Sequence, residues 1–189
     1  MAKMRSRIIR HIIGGAVALG IIAGIVLRLP GKSETDRVFG VTDQYLQNHT
    51  SPTGPHPNPW IGAYVKRAHL HARTFDYDSA IADMDNAIEL APNAPELYVL
   101  RGQMWLLLYE WDNVLDDYNT AIDLDPTYPD AYFYRGVLYY SVLQGGLAWR
   151  EDALADFEHY LQLAPGGDLA EQAQTYAETI RIELDALDN

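Results

Sequence analysis

The fold class predicted for these 189 residues is all-α: a single N-terminal transmembrane helix, then an α-solenoid of three helix pairs, then a C-terminal capping helix. Three observations predict it. Tyr64, Arg67, Ala87, Ile88 and Pro92 return 34 residues later as Tyr98, Arg101, Ala121, Ile122 and Pro126. The run from Ile12 to Leu27 holds no charged residue, and between that run and the repeats Pro52, Pro55, Pro57 and Pro59 punctuate the chain. A fixed period of this size means that each unit is one helix pair, able to bury its apolar face only against its neighbours. Such a chain offers a recognition surface rather than a catalytic centre.

Composition narrows the function further. A hydrophobic content of 48% supports a packed core, and a net charge of −12 argues against nucleic acid, whose phosphates demand clustered Lys and Arg. The absence of cysteine excludes disulfides, thiolate metal sites and a Cys nucleophile, while leaving the redox compartment open.

Residues 1–29 read as a basic N-terminus and a transmembrane helix. Ile8, Ile9 and Leu29 extend the apolar run to roughly 20–22 residues, about 30 Å of helix, long enough to cross a bilayer with the flanking Arg side chains snorkelling. A cleaved signal peptide would end its apolar run in small residues, whereas this run ends Ile25-Val26-Leu27-Arg28-Leu29-Pro30. Lys3, Arg5, Arg7 and Arg10 precede the span, and Arg28, Lys32 and Arg37 follow it, diluted by Glu34 and Asp36. That bias predicts a single-pass protein, N-terminus cytoplasmic and repeats on the periplasmic or other extracytoplasmic side; the membrane expected is a bacterial inner (cytoplasmic) one. Ala16, Gly20 and Gly24 recur every four residues, a smooth stripe for helix packing within the membrane.

Residues 30–59 form a Pro-rich extended linker, semi-rigid where the prolines concentrate. Val38 to Gln47 has the makings of a short docked helix, and Asn48-His49-Thr50 fits a glycosylation acceptor, a triplet common by chance.

Residues 60–167 hold the repeats, at 61–94, 95–128 and 129–167, the last with an insertion near 144–149. Trp60 to Thr74 carries Tyr64, Arg67, Ala68 and His71 at helical spacing, and Asp78 to Leu90 carries Ala80, Ile81, Met84, Ala87 and Ile88 on a second stripe. Pro92-Asn93-Ala94-Pro95 ends one pair and opens the next, and Pro126-Thr127-Tyr128-Pro129 repeats the punctuation. The second unit puts Tyr98, Arg101, Gly102, Trp105, Val114, Tyr118, Ala121 and Pro126 at matching positions. The third begins in register with Tyr132, Arg135, Gly136 and Tyr139, then resumes five residues late with Ala153, Phe157, Tyr160 and Pro165. Residues 168–189, with Leu169, Ala173, Tyr176, Ile180 and Leu184 on one stripe, read as a capping helix and tail.

This succession of an aromatic, a Gly or Ala, an aromatic, then Ala, an aromatic, Ala and Pro resembles the tetratricopeptide repeat family, from Trp60 to about Pro165. His71 stands where the first unit would have a core aromatic, and Met84, Val114 and Tyr160 are further departures. The resemblance implies that the first helix of each pair lines a concave groove. Its lining would be Val65, His69 and Arg73 from the first unit, Val99, Gln103 and Leu106 from the second, and Phe133, Val137 and Tyr140 from the third. Members of the family clamp a partner's C-terminal carboxylate with paired Lys and Asn residues. Those pairs are missing here, so docking of a chaperone tail is not expected; either the apolar groove takes a partner's amphipathic or transmembrane-flanking helix, or its side chains are covered by the linker, the terminal helix or one another.

Two further surfaces emerge. Trp105-Leu106-Leu107-Leu108-Tyr109-Glu110-Trp111 reads as a helix apolar nearly all round, more than one face needs, so that either the helix is central in the solenoid or part of it is a docking patch. The insertion, with Leu147 and Trp149 beside Gly145 and Gly146, is a candidate partner contact. Chemistry finds no support. His69 and His71 point to different faces of a helix and make no metal pair. Asp83, Asp85, Asp116, Asp117, Asp123 and Asp125 lack the spacing of a calcium loop and read as solvated faces, and no phosphate loop or nucleophile motif appears. The expectation is a non-enzymatic scaffold, assembly factor or adaptor without metal or cofactor, whose partners are membrane proteins or membrane-complex subunits and the lipid bilayer, not nucleic acid or a small-molecule substrate. The alternative is a permanent accessory subunit of a multisubunit membrane complex of the electron-transfer, photosynthetic or translocation kind.

Overall fold

The computed structural model describes residues 58–143 and 147–187. The apolar span, its Ala16, Gly20 and Gly24 stripe and the linker up to Pro57 lie outside the described residues. Among the described residues there is no strand, and no helix is long and apolar enough to cross a membrane. The helices are α1 (Pro59–Arg73), α2 (Tyr77–Leu90), α3 (Pro95–Leu107), α4 (Trp111–Leu124), α5 (Pro129–Val137), α6 (Leu147–Leu163) and α7 (Ala170–Leu187), with a π-helical segment at Leu138–Leu143 after α5. The chain divides within α4 into two compact units, Met1–Val114 and Leu115–Asn189.

In the first unit α1 and α2 pack as a hairpin and α3 packs on α2. The helices start where local chemistry directs: the Asn58 side chain accepts a hydrogen bond from the Trp60 amide at 3.0 Å and Asp76 caps α2, while Pro95 sits in the first turn of α3, where its missing N–H costs nothing. Ala68, Ala80 and Ala87 are fully buried, and their small side chains let α1 and α2 approach closely around Val65, Ile81, Met84, Leu97, Leu100 and Met104.

The turns between paired helices recur as faithfully as the helices. Phe75 (φ 63°) and Tyr109 (φ 59°), 34 residues apart, both adopt the left-handed conformation that suits glycine. At each, the next amide closes back five residues: Asp76 N–H to His71 O at 2.9 Å and Glu110 N–H to Trp105 O at 3.2 Å. Forcing an L-residue there costs about 1–2 kcal/mol. Edge-to-face pairs, Phe75 on Tyr77 at 6.3 Å and Tyr109 on Trp111 at 5.5 Å, offset part of it. The apolar run from Trp105 to Trp111 is therefore not one helix, as its composition implied, but the end of α3, this turn and the first residue of α4.

In the second unit α5, α6 and α7 enclose an aromatic core. Phe157 stacks on Tyr176 at 4.9 Å, and the Phe133 ring meets Phe157 and Tyr160 edge-on at 5.7 and 5.6 Å. A side chain at Gly136 would bring its Cβ to 3.2 Å from Asp156 Cβ and the Phe157 ring, so that glycine sets the α5–α6 approach. The expected capping helix forms as α7 and buries Ala173, Ala177 and Ile180. Tyr118 is fully buried with its hydroxyl unpaired, and that burial pushes its pKa well up.

One polar motif repeats within the units. Arg67 Nε and Nη2 donate to Asp83 at 2.7 and 2.5 Å, and Arg135 Nε and Nη2 donate to Asp156 at 2.9 and 2.7 Å, each a bidentate fork from first helix to second. Arg101 Nη1 reaches back to Asp85, and Arg135 Nη1 to Asn119, both at 2.7 Å. Each guanidinium also lies over a tyrosine three residues earlier: Tyr64, Tyr98 and Tyr132, at 5.4, 5.6 and 5.7 Å. The Tyr98 and Tyr132 hydroxyls donate to the carbonyls of Pro92 and Pro126. The reading of the acidic residues as solvated faces is corrected here: Asp83 and Asp117 are buried, because the fork neutralises and hydrogen-bonds the first and the second also has a partner. His71 is corrected too. It is half-buried with Nδ1 3.3 Å from Asp76 and Nε2 3.9 Å from Asp83, since a ring beside two carboxylates is worth more there as a polar group than as a core aromatic.

Burial pushes the Asp156 carboxyl up, opposed by Arg135, and Arg135 is itself raised by its bonds to Asp156 against the effect of burial. Asp156→Ala strands a partly buried guanidinium and is expected to cost about 3 kcal/mol, read as a lower urea midpoint of the purified chain. Asp130 gives a pH signature. Burial, with a smaller effect from Asp168, raises its carboxyl from 3.8 to about 6. Because the folded value exceeds the unfolded one, protonation stabilises the fold: the contribution is complete below pH 3.8 and is lost as pH rises through about 6. Asp130→Asn should therefore be more stable than the parent at neutral pH by about 1 kcal/mol, after allowance for partial exposure, with the gap closing in acid-side thermal melts.

Candidate protein-binding faces

The first helices of the pairs carry the nine residues expected to line a groove, and the two units treat them differently. In the first unit, Val65 lies in the α1–α2–α3 core, and Val99 and Gln103 are 0% and 1% exposed. His69 and Leu106 are half-buried, and Arg73 is exposed. Helical spacing explains the sorting. Val65 and His69 are one turn apart, as are Val99 and Gln103, but Arg73 and Leu106 come at the ends of their helices, where the chain leaves the core.

Gln103 stands out chemically. Both atoms of its side-chain amide are buried and neither has a hydrogen-bond partner among the described residues. A buried primary amide can use up to four hydrogen bonds, so leaving it unpaired costs about 1–3 kcal/mol. No packing argument within α3 requires a glutamine there.

In the second unit the expected lining is engaged internally. Phe133 is buried among Phe157, Tyr160 and Tyr176. Tyr140 packs on Tyr176 at 5.8 Å and donates to Glu183 Oε1 at 2.8 Å; Glu183 also accepts from Arg150 Nε at 2.9 Å. Burial and the bond to Glu183 raise the Tyr140 phenol to about 12. Val137 remains half-buried. The terminal helix α7 thus holds down Phe133 and Tyr140, contacts invisible in a repeat pattern because they span 43 residues in both Phe133–Tyr176 and Tyr140–Glu183.

The insertion differs from the loop its composition implied. The π-helical segment takes up part of the extra length and α6 begins at Leu147, so Leu147 and Trp149 stand on a helical turn, while residues 144–146 lie outside the described residues. Trp149 folds onto Tyr139 at 5.2 Å, leaving Leu147, 49% exposed, as the open apolar residue.

Sequence profiles place this helix-pair architecture. The tetratricopeptide repeat profile matches residues 61–94, and a TPR repeat profile matches residues 110–142. Residues 61–94 and 110–142 are thus tetratricopeptide repeats by profile. Similar solved structures include the first TPR of Spaghetti (RPAP3) bound to the HSP90 peptide SRMEEVD, 22% identical with a TM-score of 0.57, covering 66% of this chain and 95% of that one. The second TPR domain of human RPAP3 in complex with the HSP70 peptide SGPTIEEVD is 24% identical, TM-score 0.53, covering 65% and 95%. The Arabidopsis OM64 TPR domain is 21% identical, TM-score 0.53, covering 64% and 93%. At these identities the likeness is one of fold. No curated protein matches the sequence.

If the Gln103 amide serves recognition rather than folding, Gln103→Met should leave stability unchanged or raise it by about 1 kcal/mol, because the substitution removes an unpaired polar group at nearly constant volume. The urea midpoint checks this, and a loss above about 1 kcal/mol would assign the amide to the fold.

Proposed function

We propose that this chain is a membrane-tethered, non-catalytic protein-binding module acting as scaffold, assembly factor or adaptor. The observation that carries the proposal is the tetratricopeptide helix pair itself, recurring with its Tyr–Arg pair at 64/67, 98/101 and 132/135, an architecture whose output is a set of rigid helix faces. The similar domains of RPAP3 hold peptides of HSP90 and HSP70, which supports a polypeptide as the class of partner.

The chemistry of the faces favours a different polypeptide from those acidic tails. Where a carboxylate clamp would need cations, the first unit has Val65, Val99 and Gln103, all buried, with Leu106 half-open, and the second unit separately has Val137 half-open. An apolar helix of a membrane protein, presented close to the bilayer, suits this lining better than a carboxyl terminus. The tether is the span predicted at Ile12–Leu27, and the bias of basic residues before it supports an extracytoplasmic location of the repeats in a bacterial inner membrane.

Purification in mild detergent with Leu106→Asp and Val137→Asp variants tests the reading. A partner held by the parent should be lost about tenfold or more from the variants, with circular dichroism unchanged. Equal retention by parent and variants, or tight binding of SRMEEVD peptide, would overturn it.

A further inference from the structure

We infer that the outward face of α1 is a docking face for an anionic bilayer surface. The sequence Pro59–Arg73 contains Lys66, Arg67 and Arg73 and no acidic residue, whereas its hairpin partner α2 contains Asp78, Asp83, Asp85 and Glu89 and no basic one. The first hairpin therefore separates charge by helix. With a screening length of ~8 Å at physiological salt, this local sign, rather than the net charge of −12, governs what approaches α1.

Periodicity assigns the residues to faces. Ile61, Val65, Ala68 and Ala72 turn into the core. Trp60, Ala63, Lys66, Arg67, Leu70 and Arg73 occupy the opposite arc, and all are exposed. Leu70 (53% exposed) lies near the middle of that arc, Lys66 and Arg73 along one border, and Arg67 and Trp60 (66% exposed) along the other. Arg67 is held by Asp83, but among the described residues Lys66 and Arg73 form no ion pair. A tryptophan and a leucine between unpaired cations is what a bilayer interface accepts: the indole and isobutyl groups enter the headgroup layer and the cations meet lipid phosphates. The same composition is poorly matched to a protein core, where Lys66 would need a buried partner. Phe75, 77% exposed, follows the last turn of this helix.

The inference leans on the proposed tether only for proximity. The linker from Pro30 to Pro57 reaches at most roughly 100 Å, so a span at Ile12–Leu27 would allow α1 to contact the membrane without obliging it to do so.

The chain has no cysteine, so a single nitroxide at Ala63→Cys, within the outward arc, or at Ala82→Cys, exposed on α2, reports one place. The full chain is reconstituted into phosphatidylcholine vesicles with or without phosphatidylglycerol, and collisions of the label with oxygen and with an aqueous nickel complex are compared. Shielding of the Ala63→Cys label from nickel is expected only with phosphatidylglycerol, reversed by high salt, while the Ala82→Cys label stays in water throughout. Lys66→Glu should weaken the shielding at least fivefold, roughly fivefold being expected for each cation removed. A label equally open to nickel in both lipids would overturn the inference. So would equal shielding in both lipids and in detergent, which would mean that a polypeptide covers the face. Flotation with neutral vesicles reads the tether separately, since a tetherless chain with this face would float only with phosphatidylglycerol.

Discussion

The arginine at 67, 101 and 135 is the constraint around which the repeats are organised. A guanidinium has five N–H donors in one plane, enough to grip a carboxylate on its own hairpin, reach the preceding second helix and lie over a tyrosine. Arg135 does all three, with Asp156, Asn119 and Tyr132. Arg101 reaches back to Asp85 and Arg67 forks onto Asp83. Removing Arg67 or Arg135 would leave a buried carboxylate without compensation, so helix spacing and electrostatics are specified together at those two positions.

That arrangement also accounts for how the acidic charge is distributed. Part of the negative charge is internal: Asp83 and Asp156 are buried because the forks satisfy them. The remainder lies largely on exposed positions such as Asp78, Glu89 and Glu171, which leaves α1 as a helix of opposite sign within its hairpin. A repeat protein whose faces differ in this way can use them for different things. Under the proposed assignments, the half-open Leu106 of the first unit and Val137 of the second each meet an apolar polypeptide, and the Trp60–Leu70 arc meets lipid. The two assignments rest on separate side chains and stand or fall separately.

Strain is placed in the turns with the same regularity. Phe75 and Tyr109 occupy a conformation costly for any side chain, and each is followed two residues later by a ring that it meets edge-on. A glycine would relax the backbone but forfeit that contact and gain freedom in the unfolded chain. The pair of aromatics at 75/77 and 109/111 was present in the sequence as a 34-residue echo, but only the backbone angles gave it meaning.

The sequence by itself determined the helix pairs, their punctuation by proline and the capping helix. Local information suffices for these: apolar residues three and four apart make a stripe wherever they occur, and a repeated stripe must stack on its own copy. It located Arg67, Arg101 and Arg135 without revealing what they hold, because a carboxylate 16 or 21 residues away can be brought to hydrogen-bonding distance only by the packing of two helices. The groove residues show the same limit more sharply. Spacing placed Phe133, Tyr140, Val99 and Gln103 alike, yet Phe133 and Tyr140 are held by α7 and Gln103 is buried with its amide unpaired. Which side of a first helix stays open is decided by what lies against it, and that is a property of tertiary contacts rather than of period.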